Sequence, residues 1–363
     1  MTKLDQLRKQ IDTLDRQVVE LLDRRANLAK QIGEYKRAQG LDSYDPARQK
    51  TVLARVMDRG SGIFPRIGLK AVFTEIMSHC LALEQAVRVA YFGPPATFTH
   101  IAAVTEFGSA AEYVSRDTIN DAFLAVEKEE AEYAVVPVEN STGGVVHTTL
   151  DMFLDFDVRI CSEILMAITH NLVARCRLDQ VRRVYSNPQP FAQCARWLNR
   201  HLPHAERIET VTTVQGVQTA AREKGAAAIA SELAAGLYKL NIIAGGIEDA
   251  HWNSTRFWVI GSKVCPPTGS DKTSLMFSVK DRPGALFHLL KPFSEEGINL
   301  TKIESRPTRR KAWEYVFFVD LQGHINDPNV QKALKKIEPH CVFVRVLGSY
   351  PSEVRPRSES EYR

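Results

Sequence analysis

Several signals that would place this chain at once are missing. None of its six cysteines, Cys80, Cys161, Cys176, Cys194, Cys265 and Cys341, forms a C-x-x-C spacing, so reduced thiols are expected rather than a disulfide framework or a zinc site. His201 and His204 make an isolated H-x-x-H, which reads as a solvated helix end, and no metal or cofactor is implied. No apolar run approaches a membrane span, and Met1-Thr2-Lys3-Leu4-Asp5 opens without an apolar leader; a cytoplasmic protein with no membrane partner is expected. Nor is there an excess of one charge. Forty-seven basic and 43 acidic side chains leave a net +4, too weak and too diffuse for nucleic acid but suited to small anionic substrates.

What is present is length and contrast. At 363 residues, 44% hydrophobic and 25% charged, the chain exceeds one ordinary core, and about two or three domains are expected. Leu4, Leu7, Ile11, Leu14, Val18, Leu21, Leu22, Leu28 and Ile32 recur at three-four spacing without proline, which predicts one amphipathic helix over about 4–37. Helices over about 47–58 and 68–86 follow, so the first region is all-helical. From Val87 short apolar runs end in turn residues and lead into helices: Val87 to Phe92, Tyr133 to Val138, Val184-Tyr185. That alternation predicts an α/β region with ligand groups at strand ends and helix N-termini. After a linker over 262–272, the order strand 274–280, helix 284–296, strand 299–305, strand 312–321, helix 328–337, strand 342–347 is ferredoxin-like. The Ser/Arg/Glu-rich tail from Pro351 is expected to be disordered.

On the long helix, Arg8, Arg25 and Lys36 interrupt the apolar face. Arg25 and Lys36 are eleven residues apart and share that face, whereas Arg8 lies seventeen residues from Arg25, about 25 Å along the axis. Arg8 therefore cannot reach the same small molecule within its own chain. If two such helices pair antiparallel, Arg8 of one chain approaches Arg25 and Lys36 of the other, which predicts a dimer with a shared anionic pocket. The plainer reading is snorkelling cations on a coiled-coil flank. The region, about residues 4–86, resembles the all-helical chorismate mutase domain at Arg8, Arg25, Lys36, Asp45 and Arg48. The resemblance implies arginines gripping the two carboxylates of chorismate, Lys36 donating to its ether oxygen, Asp45 and position 49 addressing the ring hydroxyl, and positions 80 and 84 lining the pocket. This chain departs from the best-known pattern with Gln49 for Glu, Cys80 for Ser and Glu84 for Gln.

Asn253-Ser254-Thr255-Arg256-Phe257-Trp258 sets a hydroxyl beside a guanidinium at the start of an apolar run, a pairing able to hold an anion and give a proton to a leaving group. Upstream, in order, stand Val135-Val136-Pro137-Val138-Glu139-Asn140-Ser141 and Tyr185-Ser186-Asn187-Pro188-Gln189-Pro190-Phe191-Ala192-Gln193-Cys194. Over about residues 88–262 these motifs resemble the prephenate dehydratase family. The resemblance implies Thr255 as proton donor, with Glu139, Asn140, Ser186 and Gln193 binding carboxylates and orienting Thr255, and Arg256 pairing with a carboxylate. By local physics alone, Ser186 reads equally as a helix cap and Gln193 as a surface amide. The loop from Gly93 to His100 matches the family's opening loop, except that Ala96 stands where glycine is usual. His170 reads as a satisfied core histidine rather than a base.

Pro283-Gly284-Ala285-Leu286-Phe287 and Ile303-Glu304-Ser305-Arg306-Pro307 resemble two motifs of the ACT regulatory domain fused to such dehydratases. That implies phenylalanine bound by Gly284, Ala285, Leu286, Glu304, Ser305 and Arg306 between paired modules. The expected architecture is multidomain: an all-α chorismate mutase-like domain (1–86), a two-lobed α/β dehydratase domain (87–262) and a ferredoxin-like α+β ACT domain (273–350). The expected function is a bifunctional enzyme of the chorismate mutase–prephenate dehydratase type with phenylalanine feedback, at least a homodimer. Two alternatives stay open, a dehydratase whose N-terminal helices only dimerise and a non-catalytic amino-acid sensor, the latter disfavoured by Thr255, Glu139 and Gln193 together.

Overall fold

The computed structural model describes residues 2–41, 44–60, 62–250, 252–279, 282–307 and 315–353. Two compact units form: residues 1–88 with 104–112, and the remainder.

The first unit is built on three helices, α1 (Lys3–Ala38), α2 (Pro46–Arg59) and α3 (Arg66–Glu84). A capping box starts α1: the Thr2 hydroxyl accepts from the Asp5 amide at 3.2 Å and the Asp5 carboxylate accepts from the Thr2 amide at 2.8 Å. Its 36 residues span about 54 Å. Only Ala29 and Gly33 of α1 are buried, both small, and both where α3 crosses. A methyl on Gly33 would stand 2.8 Å from the Glu84 β-carbon, so glycine permits the close approach that brings Glu84 against α1. The stripe Leu4, Leu7, Ile11, Leu14, Val18, Leu21, Leu28 and Ile32 is exposed along its whole length.

The second unit opens with a lobe containing β1 (Arg88–Phe92), α4 (Phe98–Phe107), β2 (Glu112–Arg116), α5 (Ile119–Glu127), β3 (Tyr133–Asn140), β4 (Gly144–Val145), α6 (His147–Asp155) and β5 (Arg159–Ala167). The chain then crosses to a second lobe of β6 (Asn171–Ala174), β7 (Arg183–Ser186), α7 (Pro188–Gln193), α8 (Ala195–His201), β8 (Glu206–Glu209), α9 (Thr213–Ala220), β9 (Ala226–Ala230), α10 (Glu232–Leu237) and β10 (Asn241–Ala244), and returns as β11 (Ser254–Gly261). The first sheet runs β2-β1-β3-β11-β5 with β4 on β3, and the second runs β10-β6-β9-β7-β8. The returning strand β11 lies antiparallel between β3 and β5, with Thr255 opposite Asn140 and Arg256 opposite Glu139. Directly opposed residues share a face, and successive residues alternate. Thr255 and Asn140 therefore face one way, Arg256 and Glu139 the other.

The C-terminal module is β12 (Asp271–Val279), α11 (Ala285–Glu295), β13 (Leu300–Pro307), β14 (Tyr315–Gln322), α12 (Pro328–Ile337) and β15 (Cys341–Pro351). Its sheet order, β13-β14-β12-β15 with antiparallel neighbours, is the ferredoxin-like arrangement. The expected strand over 342–347 is longer at both ends, and Pro351 is paired with Asp271, so the expected tail begins inside a strand. Residues 354–363 lie outside the described residues, as do 312–314 of the expected third strand. One sheet face packs Leu275, Phe277 and Leu321 against Leu289, Phe293, Val330 and Ile337 of the two helices. The other face sends Met276, Phe318, Leu347 and Tyr350 into one core with Ile160, Phe153 and Trp258 of the first lobe.

Buried charge crosses that shared core. Arg256 donates from Nε to Glu163 at 2.8 Å, from Nη1 to Asp320 at 2.5 Å and from Nη2 to the Tyr350 hydroxyl at 3.0 Å, its guanidinium 5.4 Å from the Trp258 ring centre. Lys272 completes Glu163 at 2.8 Å, and Ser274 completes Asp320 at 2.6 Å. Burial pushes the Asp320 carboxyl up, but Arg256, Ser274 and Lys302 outweigh it and hold it below the usual value. Arg256 likewise stays charged, because Tyr350, Asp320 and Glu163 overcome its desolvation.

Candidate active sites

The helical unit encloses a cavity of about 450 Å³ lined by Arg25, Lys36, Asp45, Arg48, Gln49, Cys80 and Glu84, with apolar walls from Leu28, Ile32, Val52 and Leu81. Seven of the eight residues expected there from sequence thus converge. The eighth, Arg8, is not among the lining residues and is exposed, as its distance along α1 requires. Lys36 Nζ stands 3.3 Å from Glu84 Oε2, an ion pair of largely shielded groups. Asp45 is the N-cap of α2, accepting from the Arg48 amide at 2.9 Å. The Gln49 amide is held by the Glu106 carbonyl at 2.7 Å, which leaves its own carbonyl oxygen for the cavity. Cationic Arg25, Lys36 and Arg48 outnumber Asp45 and Glu84, so the walls favour an anion.

Between the lobes of the second unit, Thr255 is the end of a hydrogen-bonded chain. Asn140 Nδ2 donates to Thr255 Oγ1 at 2.9 Å and to Asn253 Oδ1 at 2.9 Å. The amide cannot be turned round, because Asn140 Oδ1 already accepts from the Thr142 and Gly143 amides at 3.0 and 2.7 Å and from Gln193 Nε2 at 3.1 Å. Gln193 reaches from α7 in the second lobe, also meeting Thr142 Oγ1 at 2.7 Å, and its Oε1 is held by His170 Nε2 at 2.7 Å. His170 is buried, as expected of a core histidine, and its ring also holds Gln193. Burial lowers its pKa, partly offset by Gln193 and Glu248, so a neutral ring carrying its proton on Nε2 satisfies the contact. Its Nδ1, the Ser186 hydroxyl and Asn253 Nδ2 are buried without a hydrogen-bond partner among the described residues. Sequence reasoning missed Thr142, Asn253 and the role of His170. Asn253 was visible as the residue opening the Thr255 motif, but nothing in the sequence signalled the other two.

The structure corrects two expected roles in this site. Arg256 is consumed by Glu163, Asp320 and Tyr350 and points away from Thr255, so it does not hold a substrate carboxylate. Glu139 projects from the same face as Arg256 and pairs with Lys302 of the C-terminal module, so it does not orient Thr255 directly. The signal was available in the strand period, since neighbours along a strand cannot share a face. Ala96, by contrast, keeps the left-handed backbone that a glycine would adopt (φ +71°), so the opening loop retains its shape at a strain of about 1–2 kcal/mol.

Of the expected effector residues, Gly284 precedes α11 at φ +77°, with Ala285 and Leu286 in its first turn. Ser305 is exposed on β13. Glu304 and Arg306 are turned to the first lobe instead: Glu304 stands 3.9 Å from His147, and Arg306 grips Asp151 through two bonds of 3.0 and 2.8 Å. As placed, the Arg306 guanidinium is committed to Asp151.

A helical anion pocket, a two-lobed α/β site with a positioned hydroxyl and a ferredoxin-like module define a multidomain enzyme with two separate sites for small anions. Residues 7–85 match the family described as chorismate mutase type II, 89–264 that described as prephenate dehydratase, and 273–339 the ACT domain. The chain belongs to the bifunctional chorismate mutase/prephenate dehydratase family. It is 48% identical to the protein of that name from Aquifex aeolicus (strain VF5), over 97% of this chain and 98% of the relative. It is 42% identical to the one from Stutzerimonas stutzeri, over 98% and 100%. A crystal structure of prephenate dehydratase in complex with L-Phe from Arthrobacter aurescens superposes with a TM-score of 0.69 at 32% identity, covering 76% of this chain and 96% of that one. No described helix is long and apolar enough to cross a membrane.

His170→Phe keeps the ring contact with Phe98 but removes the donor to Gln193. The loss of one buried hydrogen bond, about 1–1.5 kcal/mol, is expected to lower dehydratase kcat about tenfold and leave mutase turnover unchanged, as steady-state assays of both reactions will read.

Proposed function

We propose that the helical unit rearranges chorismate to prephenate and that the two-lobed region converts prephenate to phenylpyruvate, with phenylalanine as feedback effector through the C-terminal module, in a cytoplasmic homodimer or higher homo-oligomer. The working modules are residues 1–86, 87–262 and 273–350. The observation that carries the second activity is the fixed amide of Asn140. Because it presents only N–H to Thr255, the threonine oxygen accepts and its own proton stays free to donate. Thr255 gives that proton to the ring hydroxyl of prephenate, which leaves as water while the ring carboxylate departs as CO2. The electron pair of the broken C–C bond completes the aromatic ring, and solvent reprotonates Thr255. Ser186 and Asn253, the buried unpartnered donors, suit the substrate carboxylates.

In the mutase the reaction is pericyclic and needs no nucleophile, only a grip on two carboxylates and hydrogen bonds to the ether oxygen as charge grows there. Arg25 and Arg48 supply the grip in one chain, with Arg8 from the partner, and Lys36 donates to the ether. The exposed apolar stripe of α1 supports a second copy as the occupant of that face. Glu84 donates a second bond only when protonated.

Purified protein given chorismate, and separately prephenate, is expected to yield phenylpyruvate from both, more slowly with phenylalanine present. Thr255→Val is expected to lower dehydratase kcat at least a thousandfold with mutase activity intact; turnover within threefold of wild type removes the threonine as donor. Arg8→Ala and Arg25→Ala are each expected to inactivate the mutase, and mixing them under subunit exchange to restore part of it. Exchange verified by mass spectrometry without recovery refutes the shared pocket. Glu84→Gln, whose amide donates a hydrogen bond at any pH, is expected to raise mutase kcat/KM at about pH 8, as steady-state assays of the two proteins will read.

A further inference from the structure

Strand β13 is two-sided. Lys302, Glu304 and Arg306 are partly buried, while Thr301, Ile303, Ser305 and Pro307 between them are exposed. All three inward residues meet charged or ionisable groups of the first lobe: Lys302 pairs with Glu139, Glu304 lies 3.9 Å from His147, and Arg306 holds Asp151. Glu139 precedes Asn140 at the end of β3, and β4 pairs with both residues. The lysine side chain is only 9% exposed, so its ammonium is committed to this contact.

From this geometry we propose that Lys302 is a positioning residue for the dehydratase, reaching across from the C-terminal module to fix Glu139, and through it the backbone that aims Asn140 at Thr255. The inference rests on the reading of Thr255 as proton donor. An unpaired Glu139 would leave the end of β3 without its anchor. Pairing with Lys302 cancels the charge and fixes the strand in one contact. Lys302 also helps hold Asp320 below its usual pKa, so the same cation adjoins the buried cluster around Arg256, whose neighbour in the chain is Thr255. The module thus acts on both strands of the Asn140 and Thr255 pair. A ligand bound over Ile303 or Ser305 would press on the strand that carries the lysine, which gives the effector a route to the site.

The test is dehydratase kinetics on the full chain for Lys302→Met, Lys302→Arg and the exchange Glu139→Lys with Lys302→Glu, beside Thr255→Val and mutase activity in each. Lys302→Met is expected to lower kcat about tenfold with KM for prephenate within twofold of wild type and mutase turnover unchanged. Lys302→Arg is expected to stay within twofold, and the exchange to recover at least a third of the activity that either single change removes. A kcat within twofold of wild type in Lys302→Met overturns the proposal, as does an exchange no better than its singles. A raised KM at unchanged kcat also overturns it, by placing the lysine on substrate. Should Lys302→Met lose the mutase too, melting temperature and the exchange variant decide between unfolding and positioning, rescue supporting the pair and its absence refuting it. Full activity in Thr255→Val would instead overturn the underlying reading of the site, whatever Lys302 does.

Discussion

The pairing of β3 with β11 is the constraint on which the second unit turns. Thr255 stands opposite Asn140 and Arg256 opposite Glu139, and the pleat sends the two pairs to opposite faces. One face receives the hydroxyl and the amide that orients it. The other receives two charges that must be neutralised, and the C-terminal module brings the countercharges, Asp320 and Lys302. Chemistry and docking are thereby separated by the thickness of a single strand. A shift of β11 by one residue would put the guanidinium in the cleft and the hydroxyl in the core, so the docked module also guards the register of β11.

Burying Arg256 with Glu163 and Asp320 is a costly way to join two layers, since apolar side chains of similar volume often do so at equal or better stability. The surrounding core already supplies apolar contact through Trp258, Phe318 and Tyr350. What the ions add is direction. A guanidinium with three occupied edges admits one arrangement of β5, β11, β14 and β15, whereas a purely apolar face tolerates sliding.

Much of this was legible in the sequence, for reasons that can be named. The three-four spacing of α1 and the order of elements in the C-terminal module follow from local periodicity, and both stand in the structure with ends moved by a few residues. The convergence of Arg25, Lys36, Arg48, Gln49, Cys80 and Glu84 on one cavity was carried by resemblance, and the structure shows the enabling residue, Gly33, whose missing side chain lets α3 come close. The failures have a common origin. Arg256, Glu139, Glu304 and Arg306 were assigned to ligands because of their position in a motif, yet each takes part in contacts between modules. Such contacts join residues 64 to 163 positions apart, and no local pattern encodes which distant carboxylate will meet which cation. The grouping of residues 104–112 with the helical unit is hidden in the same way.

The bare apolar stripe of α1 would make the first unit, in the proposed dimer, subject to mass action. Eight large aliphatic side chains face water along about 42 Å; with a second copy as their cover, association and folding of this helix would draw on the same free energy. Dilution would then act on it as a mild denaturant does, while the α/β region, whose core closes within one chain, would not feel it. A single polypeptide would in this way carry two steps of one pathway with different sensitivities to its own abundance: at low expression the supply of the intermediate would fail before its consumption, and the second step would be left waiting on the first.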